Sequence, residues 1–156
     1  MLIKDIVEAE HYLFVDEFEN WQDSIYGAAK PLLDDGTLDK QYLDKIIENV
    51  NEYGPYFVIV PNVAMPHSTL GGAGVYKTAI GFCKCEKPVV FDPEDESKNA
   101  KLFFTLAAVD NQKHLENMQK LCDLLMREGI VEDLLNAHSK EDLLNIDKKY
   151  SDLEED

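Results

Sequence analysis

Two histidines carry the residue chemistry that is open to interpretation. His67 lies in VAMPHS, directly after an apolar run and the turn-forming Pro66, where a rigid scaffold can present a reactive side chain from a loop. A neutral imidazole near pH 7 is a competent nucleophile, and a hydrogen bond to one ring nitrogen fixes which nitrogen is left to attack. Judged by this local pattern alone, a structural or merely exposed histidine is the commoner outcome. His114 falls in the first turn of a helix expected after a strand at 101–108, near backbone N–H groups without helical partners and the positive end of the helix dipole. That place favours an anion. It shares a helical stripe with Met118, Leu121 and Leu125, so a half-buried packing role is the alternative. Two histidines that each follow a strand can converge on one rim of a sheet. His11 and His138 have no comparable setting.

Other constellations fail on spacing. The GGAG run at 71–74 lacks the Lys and Ser or Thr that must follow a Walker A loop, since Val75 and Tyr76 come next, and Lys77 stands where the third glycine of a dinucleotide loop belongs. It reads as a flexible turn. Cys83 and Cys85 have no second pair at zinc-ligand spacing, and Cys122 with one histidine would be an ad hoc site, so no metal is expected. The acidic clusters at 92–97 and 152–156 read as solvated surface. No paired-carboxylate site and no Ser-His-Asp order is identifiable.

The elements that must position the histidines follow from periodicity. Residues 20–33 place Trp21, Ile25, Ala28, Ala29 and Leu32 at helical spacing, with Asn20 as N-cap and Asp23 in the first turn. After a DDG turn, Thr37 is positioned to cap a second helix with an apolar stripe of Tyr42, Leu43, Ile46, Ile47 and Val50. The run YFVIV at 56–60 reads as a central, doubly covered strand stopped by Pro61, and 63–68 as extended or turn. Further strands are expected at 75–83, 88–91 and 101–108. A helix capped by Asp110 or Asn111 follows, ended by Gly129, and then short helices near 131–137 and 140–149. Helices flanking a block of strands give a single α/β domain, 1–156, with a mixed β-sheet and helices on both faces.

Composition sets limits on partners. The 156 residues are 45% hydrophobic and 10% aromatic, an ordinary globular balance for one domain. The net charge of −16, from 31 acidic against 15 basic residues, opposes nucleic acid as a partner. An anionic ligand would need local positive potential against that field. The amino terminus lacks the apolar core and cleavage site of a signal peptide, and no stretch is long enough to span a bilayer, so a cytoplasmic protein with reduced cysteines is expected and no direct membrane insertion.

From Glu52 onward, EYGPYFVIVPNVAMPHS, GVYKTAIGF, KPVVFD and LFFTLAAVDNQKHLENMQKLCDLL resemble the enzyme IIA components of the phosphoenolpyruvate-dependent sugar phosphotransferase system. The likeness is to the mannitol/fructose type and, within it, the ascorbate-related branch, and it runs from about Trp21 to about residue 128. The resemblance implies that His67 carries a phosphoryl group and that His114 lies beside it. It implies HPr as donor, a cysteine of a IIB protein or domain as acceptor, and a membrane IIC permease beyond; a homodimer is compatible with it. A mixed sheet flanked by helices is the implied fold, and no metal or nucleotide cofactor is expected. His67, held neutral, would attack phosphorus in line, with His114 and nearby backbone N–H groups stabilising the equatorial oxygens and Ser68 an extra donor.

One segment departs from the pattern. Ascorbate-type relatives usually continue the PH motif with an Ala-Arg-Pro-Glu-like segment, whereas STLGGAG follows here, one residue longer and without the arginine. Lys77, on the adjacent strand, is the candidate for replacing some of that positive charge. A regulatory module, in which phosphorylation of His67 controls partner binding rather than transport, is the alternative function.

Overall fold

The computed structural model describes residues 1–69 and 72–154, the last three as backbone only. Gly71 of the glycine run and the end of the acidic tail therefore lie outside the described residues.

The chain runs α1 (Leu2–Glu8), β1 (Tyr12–Val15), α2 (Trp21–Ala28), α3 (Lys30–Asp34), α4 (Lys40–Tyr53), β2 (Asn62–Ala64), β3 (Ala79–Val89), β4 (Ala100–Ala107), α5 (Asn111–Leu125), α6 (Ile130–Leu135) and α7 (Lys140–Glu154). The four strands form one sheet in the order β1-β3-β4-β2. β3 and β4 are antiparallel at the centre, and β1 and β2 pair parallel on the two edges. Alternate side chains of β3 point to opposite faces. Gly81 faces Leu32 of α3, while Lys84, three residues on, sends Nζ to Ala137 O beyond α6 at 2.6 Å. Thus α2 and α3, with α4 packed on α2, cover one face, and α1, α5, α6 and α7 cover the other. The expected α/β domain with helices on both faces is what the chain forms.

Several elements differ from the sequence reading, each for a physical reason. The YFVIV run is not a strand: Tyr56 and Phe57 lie in a turn, Phe57 and Val58 are buried, and Ile59 is 69% exposed. Its apolar character serves packing, with Phe57 edge-on to Phe91 at 5.4 Å, and not ladder pairing. Gly54 at φ +80 turns the chain out of α4 and Pro61 stops it again, so only Asn62–Ala64 remain to pair with β4. The strands expected at 75–83 and 88–91 are one strand of 11 residues. Its charged middle looked like a break because Lys84 is buried, paired with Glu86 Oε1 at 2.8 Å and with the Ala137 carbonyl.

The helix at 20–33 is broken at Ala29 before Pro31, and α4 is capped by Asp39 rather than Thr37. Gly129, at φ +88, begins α6 rather than ending α5, whose C-cap is Met126. The amino terminus, read above only for targeting, forms α1 and β1, with Ile3, Ile6 and Val7 buried at helical spacing. Among the described residues no helix is long and apolar enough to cross a membrane.

Candidate functional site

His67 sits three residues past β2, in a segment that makes no ladder and yet is held at every residue. Met65 N donates to Phe57 O at 3.0 Å, and Pro66 O accepts from Leu106 N of β4 at 3.0 Å. The Tyr56 hydroxyl donates to the His67 carbonyl. Ser68 N donates to the Tyr42 hydroxyl at 3.2 Å and Thr69 N to Asn49 Oδ1 at 3.0 Å. Tyr42 and Asn49 lie seven residues apart on the buried face of α4, which is why one helix reaches both amides. Buried backbone groups outside regular structure need such partners, and here they come from side chains.

The imidazole is oriented as tightly as its backbone. Its Nδ1 lies 2.6 Å from Met65 O. A carbonyl oxygen only accepts, so Nδ1 carries the proton and Nε2 keeps its lone pair. The Tyr56 ring stands perpendicular to it, 5.4 Å between centroids at 89°. Burial pushes the His67 pKa below 6.5; the bond to Met65 opposes this and the nearby His114 adds to it. At neutral pH the ring is uncharged, the state in which it is a nucleophile.

His114 completes the pair, its ring 5.3 Å from that of His67 at 39°. It lies in the first turn of α5, whose N-cap Asp110 accepts from Lys113 N at 2.8 Å. One turn on, the buried Asn117 donates from Nδ2 to Ala107 O at 3.0 Å and Ala79 O at 3.3 Å, tying the head of α5 to the ends of β4 and β3. Of the stripe expected from the sequence Leu121 is buried, while Met118 and Leu125 are only partly so, and the buried side is Asn117, Leu121 and Leu124. A polar residue among apolar ones hid the true face.

Beside the pair is a cleft of about 150 Å³ lined by Tyr42, Ser68, Thr69, Gly72, Ala108, Asp110, Asn111 and His114. That is below the about 300–1,000 Å³ usual for drug-sized ligand sites and ample for a phosphoryl-sized group. Thr69 was not singled out from the sequence, and Asn111 only as an alternative helix cap; proximity across the fold, not spacing, brings them to the cleft. Ser68 lines the cleft, with its N–H bonded to Tyr42 and its Oγ 3.5 Å from Asn49 Oδ1. Lys77 is not brought to the cleft: its Nζ donates to Asp35 O at 3.3 Å. No lysine or arginine is among the described residues of the lining, which His114 and the first turn of α5, the positive end of that helix's dipole, border.

The sequence model of the phosphoenolpyruvate-dependent sugar phosphotransferase system EIIA 2 family matches residues 5–149. The chain is 32% identical over 146 residues to the mannitol-specific cryptic phosphotransferase enzyme IIA component of Escherichia coli (strain K12), covering 94% of this chain and 97% of that one. It is 30% identical over 131 residues to an ascorbate-specific PTS system EIIA component from Shigella boydii, covering 83% and 84%. A putative PTS IIA domain from Streptococcus pyogenes superposes with a TM-score of 0.83 at 27% identity, covering 97% of each chain. The fold is shared at a TM-score of 0.75 and 24% identity with a complex of enzyme IIAMtl and phosphorylated enzyme IIBMtl from Escherichia coli, covering 88% of this chain and 94% of that one.

Proposed function

Since the chain belongs to the EIIA 2 family of the phosphoenolpyruvate-dependent sugar phosphotransferase system, and is thus a phosphotransferase component of a sugar-uptake relay, we propose that Nε2 of His67 is the atom that carries its phosphoryl group. One observation carries this reading: Nδ1 is occupied by Met65 O, which leaves Nε2 unprotonated on a ring whose centroid is 5.3 Å from that of His114.

The donor is phosphorylated HPr. The Nε2 lone pair attacks phosphorus as the bond to the donor's histidine breaks; the donor imidazole leaves with that electron pair and regains a proton from water. In a loose transition state the charge spreads over three equatorial oxygens, so the protein's task is position and electrostatics. His114 and the leading N–H groups of α5 face those oxygens, with the Thr69 hydroxyl and the Asn111 amide within the same cleft. The Ser68 and Thr69 N–H groups, engaged on α4, are not used.

The acceptor is a cysteine of a IIB protein, in keeping with the IIA–IIB complex of the neighbouring fold, and a IIC permease follows it. A cleft of this size suits a group that arrives and leaves on another protein. Beside it Val109 and Leu115 are exposed, at 47% and 64%, an apolar rim that a docking protein can cover. The reading implies a protein that works in the cytoplasm. The test is to incubate it with phosphoenolpyruvate, enzyme I and HPr, and then with IIB. An acid-labile, base-stable phosphate lost in His67→Ala and discharged by IIB supports the reading. Labelling that persists in His67→Ala overturns the site, and a load that no IIB accepts makes the protein a sensor instead.

A further inference from the structure

We propose that Tyr56, Tyr42 and Asn49 are positioning residues for phosphoryl transfer, gripping the peptide units that follow His67 so that its Nε2 is presented in one orientation. The inference rests on His67 being the phosphoryl carrier. A trans peptide is planar, with its C=O and N–H pointing in opposite directions. The unit joining His67 to Ser68 has its oxygen held by the Tyr56 hydroxyl and its N–H held by the Tyr42 hydroxyl, so two tyrosines from separate elements grip one plane from both sides. Asn49 Oδ1 holds the N–H of the next unit, and Leu106 N holds the carbonyl of the unit before His67. Both backbone dihedrals of His67 are thereby fixed, and the bond from Nδ1 to Met65 O fixes the ring on that backbone.

The grip depends on two hydroxyls that keep their protons. Burial pushes Tyr42 up to about 12, and Tyr56 is raised by burial and then by the proximity of Tyr42. Tyr42, 3% exposed, is fully used, since its hydroxyl also donates to Leu106 O at 2.7 Å. Asn49 is 2% exposed. Packing α4 against the sheet does not require a buried amide and a buried hydroxyl, and each is costly unless bonded. Their common feature is that these bonds end on the segment that carries His67 or on the strand carbonyl beside it.

The experiment uses the full chain with Tyr56→Phe and Tyr42→Phe, which keep both rings and remove only the hydroxyls, and Asn49→Ala as a third, independent break. Single-turnover loading from phosphorylated HPr is measured together with ¹⁵N shifts of the His67 ring, and a urea midpoint reports folding. Expected for the tyrosine variants are a loading rate about 10- to 100-fold lower at an unchanged half-saturating HPr concentration, and a His67 ring that mixes its two neutral tautomers where the parent shows Nδ1–H alone. A lower urea midpoint with parental rate and parental tautomer assigns these residues to stability only and overturns the inference. If one tyrosine variant does not fold, the other and Asn49→Ala decide by the same readouts. Labelling retained in His67→Ala defeats the proposed function itself; labelling lost there, with parental rates in the folded variants, defeats the grip alone.

Discussion

Gly72 provides the sharpest test of how closely the cleft is built. A Cβ placed there lies 2.7 Å from Ala108 O, a backbone atom that cannot swing away as a side chain would. Ordinary contact begins at 3.4 Å, so Gly72→Ala demands 3.4 − 2.7 = 0.7 Å of displacement. Ala108 immediately follows β4 and stands two residues before Asp110, the cap of the helix that carries His114. Moving that corner moves His114 relative to His67. Misplacing a catalytic group by about 1 Å can cost on the order of 100-fold, so a loss of about 10- to 100-fold in loading rate is expected. Strain of this kind costs about 1–3 kcal/mol in stability. The assay is single-turnover loading from phosphorylated HPr, with amide shifts of residues 108–114 as the structural readout and Ala73→Ser, at an exposed neighbour in the same loop, as the control. A parental rate with undisturbed shifts would show that the loop gives way and that the cleft wall plays no part in catalysis.

Three further outcomes follow from the same geometry. Asp110→Asn keeps a good N-cap and removes a carboxylate from the cleft; a few ångströms of charge separation near a protein surface is worth about 1 kcal/mol or more, so the loading equilibrium against HPr shifts about 5-fold or more toward the phosphorylated protein, less at high salt. Burial holds the folded His67 pKa below 6.5, so the unfolded chain takes up the proton first. Stability therefore falls as pH drops from about 6.5 toward the folded pKa, and loading stays flat through pH 6.5 before declining in acid; His67→Gln removes that increment in urea titrations at several pH values. Asn117→Ala removes two buried bonds, to the Ala107 and Ala79 carbonyls, each worth about 0.5–1.5 kcal/mol, for an expected loss of about 1–3 kcal/mol by urea unfolding and slower loading as the head of α5 loosens.

How much of this was legible depends on what each residue's neighbours are. The cap Asn20 read directly and Asp110 as one of two candidates with Asn111, because capping is local and each bonds an amide three residues on. The strand from Ala100 to Ala107 read well because a doubly covered strand is apolar throughout. YFVIV misled by the same criterion: burial against Phe91 and ladder pairing leave the same apolar signature, and only the bracketing Gly54 and Pro61 distinguish them. Lys84 misled in the other direction, since nothing local announces a lysine whose partner is a carbonyl 53 residues away.

At the site, His67 and His114 were visible as types following strand-like segments, and the structure brings their rings within 5.3 Å. The holders were not. Tyr42 was legible only as part of an apolar stripe, Tyr56 only as part of a supposed strand, and Asn49 not at all, because their roles are bonds to a loop 11 to 26 residues away. The missing arginine posed a question that sequence could not answer. The structure leaves Lys77 on Asp35 O and lines the cleft with His114 and the head of α5.

The central claim is an atom, and it is tested most directly by finding which nitrogen bears phosphorus. Two-dimensional ¹H–¹⁵N spectra of protein labelled in its histidines and loaded through HPr distinguish the two ring positions by their shifts and by coupling to ³¹P. A single phosphorylated species on Nε2 of His67, with Nδ1 still protonated against Met65 O, is the predicted result; phosphorus on Nδ1, or on any residue other than His67, contradicts it.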